Sequence, residues 1–321
     1  MRYFTFIFVL LLSAFAQEVT RTKVIMGTFI SLTLPQEKKQ HIEPAFNIIK
    51  AVDNSLSSFK KNSPICKLNQ NRYAKLDTNS YEALRLSSQY YKQTDGYFNI
   101  AIGSITKDLY RFGADERVPE IFMLQNSDIS FSGLKFNQKE AKISGNIKID
   151  LGGMGKGFAV DIVVKYLREE NIKKAKVAAS GDIRCLGQCS IEVKNPFAQE
   201  PLVSFRTKYS NIGISTSGNY EHFVKNRANN HLINPKTKHS QHNFISITLI
   251  STLASSDLDA YATAVSVMPK QKAFEFLRSL HVAFVVLDSE KELRVSDNIN
   301  NFVEDLVVND TFKEYPKDIE H

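Results

Sequence analysis

The sequence predicts an α+β protein with mixed or antiparallel sheets and flanking helices. Three observations predict it. Segments with helical apolar spacing are interspersed with short alternating segments along the 321 residues. The alternating segments crowd into the second half and look antiparallel, as in α+β chains. The composition, 43% apolar and 23% charged, is ordinary for a globular chain able to bury a full core in one large domain or two tightly joined ones.

The elements follow in order. Arg2, an apolar run over 3–16 and the small-x-small site Ala14-Phe15-Ala16 describe a secretory signal peptide at 1–16. An uncleaved tether is the alternative, although the run is short for a bilayer. No cysteine follows the site, so a lipid anchor is not expected. The mature chain, 17–321, is therefore expected to be exported and periplasmic, with no membrane span. Losing Arg2 lowers its net charge from +7 to +6. The lysines are scattered without aromatic interleaving, which reads as solvated surface rather than a nucleic-acid interface.

A strand pattern over 22–34 is broken at Met26-Gly27-Thr28. Residues 42–56 read as an amphipathic helix through Phe46, Ile49, Val52 and Leu56. Ser57-Ser58-Phe59 and Asn62-Ser63-Pro64 read as turns. A helix over 80–94 stops at Thr94-Asp95-Gly96. Residues 107–122 read as a polar surface loop. Strands are expected near 129–135, 141–144 and 147–150, then a helix over 158–169. Further strands are expected at 176–179, 190–193, 202–206, 211–215 and 244–252. Helices at 256–267 and 270–280 precede a closing hairpin at 282–287 and 293–295. Cys185 and Cys189 could form a disulfide across a tight hairpin in an oxidising compartment, with Cys66 left free and buried.

Chemistry concentrates in a few stretches. Asp150-Leu-Gly-Gly-Met-Gly-Lys156-Gly-Phe-Ala-Val-Asp161 ends a strand, turns on glycines and opens a helix. Free N–H groups at such a turn suit phosphate, and Lys156 adds a cation; a plain tight turn with a surface lysine is the alternative. The spacing matches neither the P-loop nor the dinucleotide fingerprint. On a helix, Asp259 and Thr263 lie one turn apart on one face. Their hard oxygens suit Mg²⁺, but Thr263 could instead bond back to the Asp259 carbonyl. Asp257 competes from another face. Asp182 follows Ser180-Gly181 and either meets a ligand or caps a turn. His231 precedes the rigid Asn234-Pro235 turn, as a base or as a structural histidine.

Together and in this order, these pieces resemble the ApbE family of flavin transferases. The matching pieces are Met26-Gly27-Thr28, Asp53-x-x-Leu56-Ser57-x-Phe59 with Asn69, and Thr94-Asp-Gly96-Tyr-Phe98-Asn99. They continue through the glycine turn 150–161, Gly181-Asp182, Ser215-Thr-Ser-Gly-x-Tyr220, His231-x-Ile-Asn-Pro235 and Asp259-Ala-x-Ala-Thr263. The resemblance implies a FAD cleft between two subdomains and an exported FAD:protein FMN transferase. Such an enzyme joins FMN from FAD to a Thr or Ser of a target flavoprotein through a phosphoester bond, with Mg²⁺, releasing AMP. The implied target is a respiratory or extracytoplasmic electron-transfer subunit. The alternatives are a Mg²⁺-dependent FAD pyrophosphatase and a flavin-binding protein without turnover.

The resemblance also implies roles. Met26, Phe59, Tyr97, Phe98, Asn99, Asp150, Lys156 and Ile233 would bind the flavin nucleotide. The Gly153 carbonyl, Asp259 and Thr263 would hold the metal, and His231 would be the base. Four residues depart from the family pattern: Asn99 for an aspartate, Ser180 for a glycine, Asn234 for an aspartate and Lys238 for a glycine.

Overall fold

The computed structural model describes residues 17–312, so the expected signal segment 1–16 lies outside the described residues. In chain order the elements are β1 (Glu18–Ile25), β2 (Thr28–Pro35), α1 (Ile42–Leu56), α2 (Pro64–Asn71), β3 (Tyr73–Lys75) and α3 (Thr78–Gln93). Next come α4 (Ile121–Gln125), β4 (Leu134–Phe136), β5 (Glu140–Ile143), α5 (Gly155–Glu169), β6 (Ala175–Ala179), β7 (Asp182–Leu186), β8 (Ser190–Val193) and β9 (Val203–Thr207). The chain closes with β10 (Ile212–Gly218), β11 (Phe244–Ser251), α6 (Ser255–Ser266), α7 (Lys270–Ser279), β12 (Ala283–Asp288), β13 (Leu293–Val295) and β14 (Val303–Val308).

An eight-stranded sheet in the order β1-β2-β6-β7-β10-β11-β12-β13 is the frame, and each of its pairings is antiparallel. Strands β8, β9 and β14 form a second sheet, and β3, β4 and β5 a third. One face of the large sheet, through Leu32, Val177 and Leu249, joins α1, α5 and α6 in the largest core. The other face, through Ile214, Ile250 and Val285, packs on Phe205, Phe302 and Val303 of the second sheet in a second core. Strand β11 is buried along its whole length because it serves both. A small third cluster joins Ile105, Tyr110, Phe112, Leu124, Val224 and Ile233.

The expected α+β class holds, with local corrections. The break at Met26-Gly27 is a hairpin turn: both residues have positive φ, 57° and 72°, as a two-residue type I′ turn requires. Asn62-Ser63-Pro64 does not simply turn the chain. Ser63 caps α2 by accepting from the backbone N–H groups of Ile65 and Cys66, with Pro64 in the first turn. The expected polar loop 107–122 starts inside a wide helical turn, Ser104–Leu109, and buries Tyr110 and Phe112. Strands β3, β7 and β14 lie outside the expected set, and 147–150 makes a single bridge, Ile102↔Lys148, in place of the expected strand. Cys185 and Cys189 are bonded, with Cα atoms 6.0 Å apart, and Cys66 is free and buried.

Candidate active site

The glycine turn is held from both sides before any ligand is considered. Asn69 donates to the Ile149 carbonyl at 2.8 Å and accepts from the Ile149 N–H at 2.7 Å, acting as a strand partner for the residues ahead of Asp150. Asp150 accepts from Thr106 Oγ1 at 2.6 Å and from the Gly152 N–H at 3.0 Å, and Lys107 Nζ lies 3.4 Å away. Burial opposes its ionisation, but Lys107, Thr106 and Gly152 outweigh burial and hold the carboxyl below its usual range. Lys107 also sits 4.6 Å from the centre of the Phe59 ring, which is 55% exposed. Phe59, Lys107 and Asp150 therefore form one wall. Lys107 and Thr106 were missed in the sequence because no local pattern links them to Asp150.

Past the turn, α5 runs against α6. Thr263 donates to the Gly153 carbonyl at 3.2 Å rather than back to Asp259. A Cβ on Gly153 would come within 2.9 Å of Thr263 Cγ2, and one on Gly157 within 2.2 Å of the Ser255 carbonyl oxygen. Only glycine at these two positions lets the helices approach this closely. Asp259 is buried and accepts from the Gly157 N–H at 3.1 Å. Lys156 places its ammonium 3.3 Å from both Asp259 oxygens and 3.1 Å from Asp182 Oδ2. That ion pair is the contact of Asp182 Oδ2, which otherwise has no hydrogen-bond partner. Asp182 also accepts from Ser215.

Burial raises the Asp182 carboxyl, the nearby Asp259 charge raises it further, and Lys156 and Ser215 only partly offset them, leaving it at about 7. Burial works against the Lys156 ammonium too, but Asp182 and Asp259 outweigh it and push its pKa up. Two buried carboxylates thus share one ammonium. The Gly153 carbonyl, Thr263 hydroxyl, Asp259 and Asp182 are hard oxygens, the donor set that suits Mg²⁺ rather than a soft metal. A buried carboxylate oxygen whose sole partner is a shared ammonium is the observation that fits a further cation here. Asp257 is turned away, accepting from the Tyr90 hydroxyl at 2.7 Å.

The other expected residues divide. Met26 reaches the start of α5, where its Cε lies 3.6 Å from a Cβ built on Gly155. Tyr97 is half-buried against the largest core, with Lys272 and Lys236 at 5.0 and 5.4 Å from its ring centre. Phe98 is buried, edge-on to Tyr90 at 5.6 Å. Asn99 uses both ends of its amide internally, donating to the Ile129 carbonyl and accepting from the Ala101 N–H, each at 2.9 Å. Phe98 thus meets the glycine turn, its Cε2 lying 3.3 Å from a Cβ built on Gly153, and Asn99 braces the chain beside it. Ile233 is buried in the third cluster.

His231 Nδ1 lies 3.1 Å from the His222 carbonyl oxygen. A carbonyl only accepts, so Nδ1 carries the proton and Nε2 keeps its lone pair. Surrounding protein pushes the imidazole pKa down to about 4, the His222 bond opposes this, and positive charge at His222 and Lys156 adds to it. The ring keeps partial solvent access, which moderates the burial effect, but the direction leaves it neutral near pH 7.

The family departures have local explanations. Ser180 and Lys238 both have positive φ, 56° and 64°, where a glycine would fit without strain. Lys238 Nζ donates to the Gln125 and Ser127 carbonyls at 2.7 and 2.8 Å. Asn234 donates to the Val267 carbonyl and accepts from the Lys236 N–H, each at 2.8 Å.

Residues 26–286 match the model of the ApbE family. The FAD:protein FMN transferase of Escherichia coli (strain K12) is 24% identical over 297 residues, covering 83% of this chain and 82% of that protein. A protein of the same name from Buchnera aphidicola subsp. Schizaphis graminum is 27% identical over 275 residues, 77% of this chain and 79% of its own length. The ApbE protein from Thermotoga maritima superposes with a TM-score of 0.82 at 22% identity, covering 90% of this chain and 100% of that one. The flavin transferase ApbE from Vibrio cholerae gives a TM-score of 0.72 at 20% identity, over 94% and 100% of the two chains. The fold is therefore ApbE-like.

Proposed function

The chain belongs to the ApbE family, and from that premise we propose that it is a Mg²⁺-dependent FAD:protein FMN transferase. The observation that carries the reading is the meeting of the Gly153 carbonyl, Thr263 and Asp259 beside Asp182 and Lys156. Gly153, Asp259 and Thr263 would hold the metal. Mg²⁺, when bound, supplies charge neutralisation to diphosphate oxygens, the main need of phosphoryl transfer.

The chain's own groups do the rest. His231 Nε2 accepts the proton of the acceptor Thr or Ser hydroxyl. The freed oxygen bonds to the FMN phosphorus, the bond to the bridging oxygen breaks, and AMP leaves with that oxygen. Lys156 keeps positive charge at the buried end of the site. Met26, Phe59, Tyr97, Phe98, Asn99, Asp150, Lys156 and Ile233 are assigned to binding FAD, with Lys107 added beside Phe59. The acceptor is a flavoprotein of an extracytoplasmic or respiratory electron-transfer system. Export through residues 1–16 belongs to the same reading and is supported by the Cys185–Cys189 bond, which an oxidising compartment sustains. Among the described residues no helix is long and apolar enough to cross a membrane.

The test incubates the protein with FAD, Mg²⁺ and a candidate acceptor. Mass spectrometry should find FMN added to one Thr or Ser, with AMP released in equal amount. AMP release without any acceptor would point instead to the pyrophosphatase. Asp259→Ala should lower transfer by at least about a hundredfold, as loss of a metal ligand does when the ion carries the charge stabilisation. Unchanged turnover in that variant would sink the metal assignment.

A further inference from the structure

We propose that Asp161 is a positioning residue for the metal-ligand helix. Its carboxylate, carried by α5, clasps the N-terminus of α6 and so sets where Asp259 and Thr263 stand against the Gly153 carbonyl. The proposal rests on the reading that those three groups share Mg²⁺.

Helix α6 has no cap of its own. Its N-cap residue is Ala254, which has no side-chain acceptor for the orphan N–H groups of the first turn. Asp161 takes that place from a distant point in the chain. Its Oδ1 accepts from the Ser255 N–H at 2.7 Å. Its Oδ2 accepts from the Ser256 N–H and the Ser256 hydroxyl, each at 2.8 Å. An anion here also complements the positive end of the helix. Arg184 ties the same point to the sheet: Nε donates to Ser255 Oγ at 3.0 Å, Nη1 to the Asn211 carbonyl at 3.0 Å, and Nη2 lies 3.9 Å from Asp161.

The register explains why this matters for the ligands. Gly153, Gly157 and Asp161 are spaced four residues apart, and so are Ser255, Asp259 and Thr263, so each set lines one side of its segment. The two rows meet head to tail. Gly153 touches Thr263, the Gly157 N–H bonds Asp259, and Asp161 bonds Ser255. Asp161 is the far rung of a three-rung ladder whose near rung is a ligand pair. With no Cβ at Gly157, α5 offers only a backbone N–H at the middle rung, and that bond engages Asp259 itself, a proposed metal ligand. The clasp fixes the spacing.

A helix cap alone would stabilise α6 without placing it, and that difference is testable. Mn²⁺ binding to the whole FAD-free protein, followed by electron paramagnetic resonance, gives a readout separate from turnover. Asp161→Ala should weaken Mn²⁺ binding roughly 10- to 100-fold, as loss of a residue orienting metal ligands does. Adding Ala254→Ser gives α6 a local cap. This double variant should recover melting temperature but not Mn²⁺ affinity. Recovery of both, or wild-type affinity in Asp161→Ala, overturns the positioning role. If Asp161→Ala does not fold, Asp161→Asn keeps one acceptor oxygen and should show a smaller loss, a few-fold; an unchanged affinity overturns the role equally. Asp259→Ala is the reference. Without Asp259-dependent binding in the wild type, the metal reading falls and this proposal with it. Asp259-dependent binding that survives Asp161→Ala removes this proposal alone.

Discussion

The two halves of the site are built differently. The half proposed to hold the metal sits between α5, α6, the start of β7 and the middle of β10, with Asp182 and Asp259 buried and braced from several elements. The His231 half lies in irregular chain between β10 and β11, where short bridges such as Phe223↔Asn230 and Ile233↔Ser240 replace a ladder. The His231 ring and backbone N–H both donate to one group, the His222 carbonyl, while its own carbonyl accepts from the Ile233 N–H. The contrast follows from what each half must do. Buried like charges repel strongly, so their geometry has to be imposed by packing. On the proposed reading, a neutral base at His231 needs only its tautomer fixed and a path for the acceptor chain. The first half should therefore fail by losing structure and the second by losing rate.

The largest effect is expected in the braced half. Gly157→Ala puts a methyl group within 2.2 Å of a backbone oxygen and 2.9 Å of Asp259 Cβ. No flexible side chain can yield there, so α5 and α6 must separate. The expected loss is about 1–3 kcal/mol of stability, toward the upper end, with FMN transfer lost along with it. A chemical denaturation curve beside a transfer assay measures both. Full stability with lost transfer would break the contrast, because this half would then be failing by rate alone.

In the loop half, His231→Ala should slow transfer about 10²- to 10⁴-fold, the usual contribution of a positioned base, while FAD binding and folding persist. Its pH signature has a defined sign. The folded pKa is lowered to about 4, while an unfolded histidine titrates near 6.5. Between those values the unfolded chain binds more protons, so stability falls as pH falls through that window. The variant lacks this loss. Comparing unfolding of the two proteins at pH 7 and pH 5 should shift the difference in favour of His231→Ala at the lower pH. An unchanged difference would mean that His231 is not held neutral.

Legibility in the sequence follows the same divide. Helix α1 is readable at its observed limits, Ile42–Leu56, because one amphipathic stripe covers its full length. The Asp259 and Thr263 pair is readable because helical spacing alone puts them on one side. Helix α2 was hidden because eight residues carry little periodicity and its cap, Ser63-Pro64, has the composition of a turn. Strand β7 was hidden behind Asp182 and Cys185, each of which suggested another use. Lys107 could not be found locally, since what gives it a role is Asp150 across the fold and the Phe59 ring beside it. The Asp161 clasp was unreadable for a related reason. A missing local cap at Ala254 is visible in the sequence, but the residue that replaces it is a matter of tertiary register.

The smallest effect compares two strained residues, one in each half. Ser180 is the first central residue of the two-residue turn between β6 and β7, beside Asp182, with φ 56°. Glycine is favoured at such a position, so Ser180→Gly should relieve strain worth about 1 kcal/mol, partly offset by the greater entropy of glycine in the unfolded chain. A net gain below about 1 kcal/mol is expected. Lys238, in the loop half, has φ 64° and the same backbone argument. Its ammonium, however, donates to the carbonyls of Gln125, the last residue of α4, and of Ser127 just beyond it, and ties the loop to that helix end. Lys238→Gly removes both bonds with the strain, so it should not gain stability, and the loop carrying Asn234 and His231 should become more open to proteolysis. The residue that departs from glycine without such a tie should improve on replacement, and the one with it should not. If both variants gain equally, the Lys238 bonds do not hold the loop, and His231 depends for its placement on His222 alone.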